Sequence, residues 1–544
     1  MTSEKKFALP KKRTVVCTLI FVAALICMIM SSCGDDKPAG YLYSGKTDDF
    51  KYEVYESHVV ITKYVGEAAS AELPSLDPSA LPSQKPNTED GEKDIETSEV
   101  SVADLKVTVP SKIEDRPVTE IAYGAFGNKT YITELVIPDS VTTVADRAFF
   151  GCTELKSITL GKNITSIGEY AFYSCKKVEK FVLPDSLEAI APNLFYNCTG
   201  ATEITLPKQI ESIGEGAFAG CSALTTLTIP DTVAVIGKEA FYGCSHLTEL
   251  KLPAALTVIE PSTFFSCVRL KNVTFNEGLT EIKNNAFEKS AVSELVFPST
   301  LKKISEKAFI SCTAIQTLEL NEGLETIENE AFYDCSAIKK VILPSTLRNY
   351  GTLIFGRCLS IEEATFTSGI EVIPEGLFDS CTHLKKLIIP EGVKEIQSKA
   401  FHGCIAVEEL SLPSTLETIG DEAFLKLKNL KELTIPDSVT TIGYKAFYWC
   451  IKLEKLTIGK NVKSIGAYAF SRATSLTELV LNDGIKTIDV SAFSGNTKLK
   501  SVTLPESITK IGANAFFNCI ALENVTVVSG SYAEKYAKDN GLIK

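Results

Sequence analysis

The sequence predicts a repeat solenoid of eighteen coils with a 23-residue period, built from parallel β-strands and short helical or 3₁₀ turns. Three observations carry this. Phenylalanine recurs from Phe126, Phe149 and Phe172 through to Phe516 at intervals of 23, with a single interval of 22 between Phe287 and Phe309; self-similarity at such a period is the mark of stacked coils. Composition is uniform over roughly the last four hundred residues, with three methionines and one tryptophan in all 544, whereas ordinary domains in a chain this long would number about three or four unlike units. Within each repeat a brief alternation of inward leucines is followed by a breaker, which is how a short half-buried strand reads.

The elements follow in chain order. Lys5, Lys6, Lys11, Lys12 and Arg13 precede the apolar run Thr14–Met30 and the small residues Ser31 and Ser32, the arrangement of a signal peptide over 1–32. Met30-Ser31-Ser32-Cys33 resembles a bacterial lipobox, which implies lipid attachment at Cys33 and a membrane contact through that lipid. The alternative is a plain transmembrane anchor, for which seventeen apolar residues are at the lower limit of a bilayer span. The acidic "CGDD" resembles the export tag of surface lipoproteins of the Bacteroides group, which makes the outer cell surface the expected destination. Residues 33–49 are expected as a tether and 50–66 as an N-terminal cap hairpin. Residues 67–104 hold ten acids against two lysines and no aromatic residue, too little apolar surface to offset the entropy of ordering; they are expected as a disordered acidic insertion. The solenoid occupies 105–527 and a C-terminal cap helix 528–544.

One coil shows the logic. In "LTELKLPAALTVIEPSTFFSC" (Leu247–Cys267) Leu250 and Leu252 face inward while Glu249 and Lys251 face out, the period of a strand. Pro253 has no N–H for a ladder and ends it. Leu256 and Ile259 supply a second inward face, and a turn carries Phe264 and Cys267. A lone coil cannot cover these faces, so each needs its neighbours. The pattern resembles the leucine-rich repeat, and more closely its BspA-like bacterial type, as "LTTLTIPDTVAVIGKEAFYGC" (Leu224–Cys244) and "LKELTIPDSVTTIGYKAFYWC" (Leu430–Cys450) illustrate. The likeness spans about Lys106 to Val527 and departs from the general repeat in lacking Asn or Cys after the strand. Eighteen coils at about 4.8 Å each predict a length of about 85 Å.

Thirteen coils carry cysteine three residues after the Phe, and the other five carry Lys129, Ser290, Leu427, Ala473 and Asn496. Such mixed replacements suit a packing position. Equivalent residues in stacked strands lie about 4.8 Å apart with parallel Cβ vectors, whereas a disulfide needs Cβ atoms about 3.8 Å apart and facing one another. A straight column does not gather four sulfurs around one zinc either. The column is expected to be free, buried thiols acting as small hydrophobes.

Catalytic and cofactor chemistry is not expected. "GYLYSGKT" (Gly40–Thr47) has the P-loop spacing but lacks the preceding buried strand and following helix that make a phosphate cradle, so neither nucleotide nor another cofactor is expected. His58, His246, His383 and His402 have no sequence-local partner that would bind a metal or activate a nucleophile. No basic patch suggests nucleic acid, and the formal charge is −13.

Two outward columns remain. Thr159, Thr205, Thr228, Thr274, Thr365, Thr434, Thr457 and Thr503 lie between the inward strand residues, where β-propensity alone could account for them; the functional alternative is a long, nearly uncharged docking face. Tyr173, Tyr196, Tyr242, Tyr333 and Tyr448 follow the core Phe as a second candidate ridge, either packing between coils or contacting a ligand. The expected function is a non-enzymatic cell-surface binding or adhesion protein. The BspA-like resemblance implies an extracellular or host protein ligand; a glycan-binding surface lipoprotein and a structural envelope protein are the alternatives.

Overall fold

The computed structural model describes residues 38–66, 104–367 and 369–543. The signal segment, Cys33 and almost all of the acidic insertion lie outside the described residues. The chain forms a parallel β-solenoid of eighteen coils. It opens with β1 (Tyr41–Lys46), β2 (Phe50–Tyr55) and β3 (Val59–Tyr64), an antiparallel meander whose last strand pairs in parallel with β6 (Arg116–Ile121). Between them β4 (Leu105–Thr108) runs parallel to β7 (Ile132–Val136), and β5 (Lys112–Ile113) turns back on β6.

The expectation of a tether through residue 49 is corrected here, because Tyr41–Lys46 is a strand. Its Tyr43 hydroxyl bonds the Glu114 carboxylate, which also accepts from Tyr52 at 3.1 Å. The P-loop spacing of Gly40–Thr47 thus lies in a paired strand rather than in a loop before a helix.

Each coil has three hydrogen-bonded sides. The first is the leucine strand, for example Glu249–Lys251 paired with Asn272–Thr274. The second is a two-residue strand such as Val258–Ile259 on Glu281–Ile282. The third is the turn holding the core Phe. It is neither a helical turn nor a 3₁₀ turn, contrary to the sequence expectation. Two residues per coil are left-handed, as at Glu239 (φ 58) and Gly243 (φ 67), whereas a 3₁₀ turn keeps φ near −60° throughout. The reversal splits the N–H groups into two sets. Ala240, Tyr242 and Cys244 donate within the coil to Gly237, Glu239 and Phe241 at 3.0–3.2 Å. Glu239, Phe241 and Gly243 donate to Pro261, Thr263 and Phe265 of the next coil at 2.8–3.1 Å.

This triplet recurs at every junction from Gly124 to Phe517, whereas the leucine-strand ladder is broken into several short sheets. The turn side is the unbroken spine, and its peptides all point one way, like those of a helix. The missing residue of the 22-residue interval lies between Ser290 and Val292, outside this ladder, which continues through Lys289 N–H to the Ile310 carbonyl at 3.0 Å.

Inside the spine the phenylalanines form one continuous column from Phe126 to Phe516, neighbouring ring centroids 5.0–6.0 Å apart. Tyr64 extends it at the N-terminal end, stacked 5.4 Å from Phe126 with its N–H on the Ala125 carbonyl at 2.8 Å. At the other end α1 (Tyr532–Asp539) starts at Ser531, whose hydroxyl accepts from Glu534 N–H, and buries Ala533 and Ala537. An oxygen at the N-cap satisfies a donor that the first turn otherwise leaves unpaired.

Candidate binding surfaces

The leucine strand places alternate residues on opposite sides, so the threonine row faces out by the geometry of the strand itself. Thr159, Thr205, Thr228, Thr274, Thr365, Thr434 and Thr457 are exposed and Thr503 is half-buried. In the same row Val182 is 64% exposed, Val296 56% and Ile388 54%, positions at which a folded chain gains nothing from an aliphatic side chain in water. The parallel row two residues earlier is richer in charge, much of it paired across coils, as in Lys180–Glu203 at 2.8 Å, Lys386–Glu409 at 2.7 Å and Lys455–Glu432 at 2.7 Å.

Shallow depressions open on this face. One of about 540 Å³ is lined by Thr205, Leu206, Thr228 and Pro230, and adjoins another lined by Thr228, Lys251 and Thr274. A third, of about 500 Å³, lies around Thr365, Phe366, Ile388 and Pro390. Four of the candidate threonines are thereby brought to the edges of concave surface.

The aromatic ridge is arranged differently. Phe150 stacks on Tyr173 at 4.8 Å, Tyr173 on Tyr196 at 5.5 Å and Tyr242 on Phe265 at 4.8 Å. Tyr333 lies against Gly356, where a Cβ would come within 2.8 Å of its ring. Tyr448 packs edge-on to Trp449 at 6.3 Å. All five candidate tyrosines are half-buried, and much of their ring surface is spent on the neighbouring coil.

The cysteine column is free thiol throughout: twelve of the thirteen are buried and Cys519 is partly so. Sequence reasoning missed that each thiol donates to the carbonyl of the Phe of the preceding coil, from 2.9 Å at Cys312–Phe287 to 3.8 Å at Cys450–Phe424. Ser290 and Asn496, both polar, occupy buried positions of the same column with other partners: Ser290 Oγ lies 3.4 Å from Cys312 Sγ and Asn496 accepts from Ala473 N–H at 2.8 Å. Burial pushes the thiol pKa up, to about 12 at Cys152 and Cys244 and well above the ordinary value at Cys175 and Cys335, so these sulfurs stay protonated and unreactive near neutrality.

The histidines are likewise occupied. His246 and His383 donate Nδ1–H to the carbonyls of Ser222 and Leu359, each at 2.7 Å. His402 contacts the Asp379 carboxylate, which also accepts from the Ser380 hydroxyl at 3.3 Å. The partner of His402 lies 23 residues upstream, so a search for sequence-local partners passes over it; a search at the coil period finds it. Among the described residues no group of three or more His, Cys, Asp or Glu side chains is placed to hold a metal, and no helix is long and apolar enough to cross a membrane.

Several solved structures are similar to the chain. A leucine-rich repeat protein from Bacteroides ovatus is 23% identical over 89% of this chain and 94% of that one, with a TM-score of 0.40. The pneumococcal vaccine antigen PcpA is 20% identical over 69% and 100%, with a TM-score of 0.40. A leucine rich cell surface protein from Faecalibacterium prausnitzii is 20% identical over 93% and 98%, with a TM-score of 0.27. Among curated proteins none matches the sequence. The family profile described as BspA type leucine rich repeat region (6 copies) matches residues 119–248, 188–316, 235–345, 302–431 and 418–537. With the 23-residue coil, the phenylalanine column and the leucine strand all inside those matches, the chain belongs to the BspA-type leucine-rich repeat family.

Proposed function

We propose that this is a non-enzymatic binding or adhesion protein that works outside the cytoplasm and engages an extracellular protein ligand through the outward face of its leucine strands. The observation that carries the reading is the nearly uncharged row running past Thr205, Thr228, Thr274 and Thr365, interrupted by Lys251 and Glu319, with Val182, Val296 and Ile388 exposed in register. These residues do nothing for the core, and aligned over many coils they offer the extended surface that solenoids use for partners. The thiols and histidines draw the reading away from catalysis, since each is bonded within the scaffold.

The test is binding to immobilised extracellular-matrix proteins beside a panel of polysaccharides. Thr205→Glu, Thr228→Glu and Thr274→Glu together should weaken protein binding at least tenfold, about 1.4 kcal/mol. The melting temperature should barely move, since surface changes of this kind stay within about 0.5 kcal/mol each. Binding that survives the triple variant and disappears when Tyr173, Tyr196 and Tyr242 become Ala in a folded protein would move the site to the aromatic ridge.

Anchoring is proposed to run through lipid on Cys33, on the strength of the basic, apolar and small-residue segments that meet there. Cys33→Ser should release the protein from membranes and abolish labelling by radioactive fatty acid. Labelling that persists in the variant overturns the anchor.

A further inference from the structure

The second left-handed residue of each turn, two after the core Phe, forms a column of its own. Glycine, serine, asparagine or aspartate fills it in most coils, as at Gly220, Gly243, Ser266 and Asp334. That choice follows from the backbone, because the left-handed conformation crowds the Cβ of an ordinary L-residue and suits glycine or asparagine better. Five coils break the rule with larger side chains: Lys289 and Arg357 singly, each beside a carboxylate, and three in succession, Lys426 (φ 66), Trp449 (φ 68) and Arg472 (φ 64). The successive three have the largest φ values among the non-glycine left-handed residues, and the column returns to glycine on either side, at Gly403 and Gly495. The turn imposes the left-handed backbone on every coil, so what sets this stretch apart is the succession of three large side chains and not the conformation itself.

The side chains converge. Trp449 is the only tryptophan of the chain. Lys428 Nζ lies 5.3 Å from its ring centroid, Lys426 Nζ 5.9 Å and Arg472 Cζ 5.9 Å. One coil edge further, Lys445 Nζ sits 4.8 Å from the Tyr444 ring and 5.6 Å from the Tyr448 ring. Many, though not all, lysines of this acidic protein pair with a carboxylate one coil away, as Lys394 does with Glu371 at 2.9 Å. Among the described residues none of Lys426, Lys428 and Arg472 forms such a pair; Glu422 is the acid that faces Lys445. Three unpaired cations around one ring repel one another, and the ring's negative face offsets only part of that. An anion from outside would complete the arrangement.

We propose that this cluster is a binding site for a sulfated acidic polysaccharide. The turn side offers such a ligand what it needs and offers a peptide little. Its hydrogen-bond ladder is unbroken at every junction, so there is no free edge for strand addition, and the depressions described above lie on the opposite, leucine-strand face. Lys426 and Arg472 are two coils apart, roughly 10 Å along the axis, so they meet negative groups that recur along a polymer better than two charges on one residue. Tyr444, 39% exposed, adds an aromatic rim on which sugar C–H faces settle. The site is separate from the strand face and stands or falls independently of it.

Because Trp449 is the sole tryptophan, its emission reports on this spot alone. Titration of the full chain with a heparin-derived oligosaccharide should give a saturable change in emission, with a matching isotherm by calorimetry that weakens steeply as salt is raised. The chemically desulfated oligosaccharide, neutral dextran and poly-glutamate should bind at least tenfold more weakly. Lys426→Asn with Arg472→Asn should lose at least tenfold in affinity for the sulfated probe while the melting temperature holds or rises, since asparagine suits the left-handed backbone. The triple threonine-to-glutamate variant should bind the probe as the parent does. No isotherm with the sulfated probe, unchanged affinity in the asparagine variant, or poly-glutamate binding as tightly as the oligosaccharide would each overturn the proposal.

Discussion

Raising the pH above 9 should progressively destabilise the solenoid, ending in an alkaline transition with loss of far-ultraviolet β signal and exposure of its thiols to a thiol reagent. The cause is the cysteine column. Burial raises these thiols from an ordinary pKa of 9.0 to about 12 at Cys152, Cys244, Cys312 and Cys450, and well above 9.0 at Cys175, Cys198, Cys221, Cys267, Cys335 and Cys381. A thiol whose pKa is raised by folding holds its proton in the native state and loses it in the unfolded one. Stability is therefore complete below pH 9 and falls as pH climbs from the unfolded pKa towards the folded pKa.

One unit above the unfolded value each buried thiol withdraws about 1.4 kcal/mol. Twelve buried thiols then withdraw roughly 17 kcal/mol, spread along the whole stack of coils. Tyr55, Tyr64 and Tyr350, raised to about 12 chiefly by burial, act in the same direction. Replacing the run Cys312, Cys335, Cys358, Cys381 and Cys404 by alanine, the residue the column itself holds at Ala473, should move the alkaline midpoint upward. A midpoint that stays put in that variant would assign the transition to other groups.

Phe309→Ala should cost about 3–5 kcal/mol. Its ring is fully buried between Phe287 at 5.0 Å and Phe332 at 5.2 Å, and the coil on either side is held by the same spine, so little can collapse into the space. Because coils contact only their neighbours, the damage should be local. Amide exchange should speed up over roughly Phe287 to Phe332 while coils near either end keep their protection. Phe516 ends the column, with Phe493 at 5.5 Å on one side, and Phe516→Ala should cost distinctly less. Equal costs at the two sites would mean that stacking along the column is not what stabilises it.

Much of this molecule was legible because a strict period turns a column in the sequence into a column in space. Leu250, Leu252, Ile259 and Phe264 are buried as their alternation and spacing require, and the outward threonines are outward because a strand leaves them no other side. The thiol column could be read against disulfides from spacing alone. β1 was missed for the opposite reason: Tyr41–Lys46 lies outside the period, and the Asp48 and Asp49 that follow it read as tether.

What the sequence determined by itself is the period, the coil count, the family likeness and the division between inward and outward positions, since all of these depend on residue identity at fixed spacing. Only the tertiary structure decided how the turn is built and what meets across it. Nothing in Leu353 or Trp449 favours a left-handed backbone, yet both adopt it, with φ of 55° and 68°. Three hydrogen bonds to the next coil outweigh the local preference. The contact of His402 with Asp379, the bond from each thiol to a phenylalanine carbonyl and the gathering of Lys426, Lys428 and Arg472 about Trp449 arise in the same way. They join residues one coil apart, and that proximity exists only once the coils have stacked.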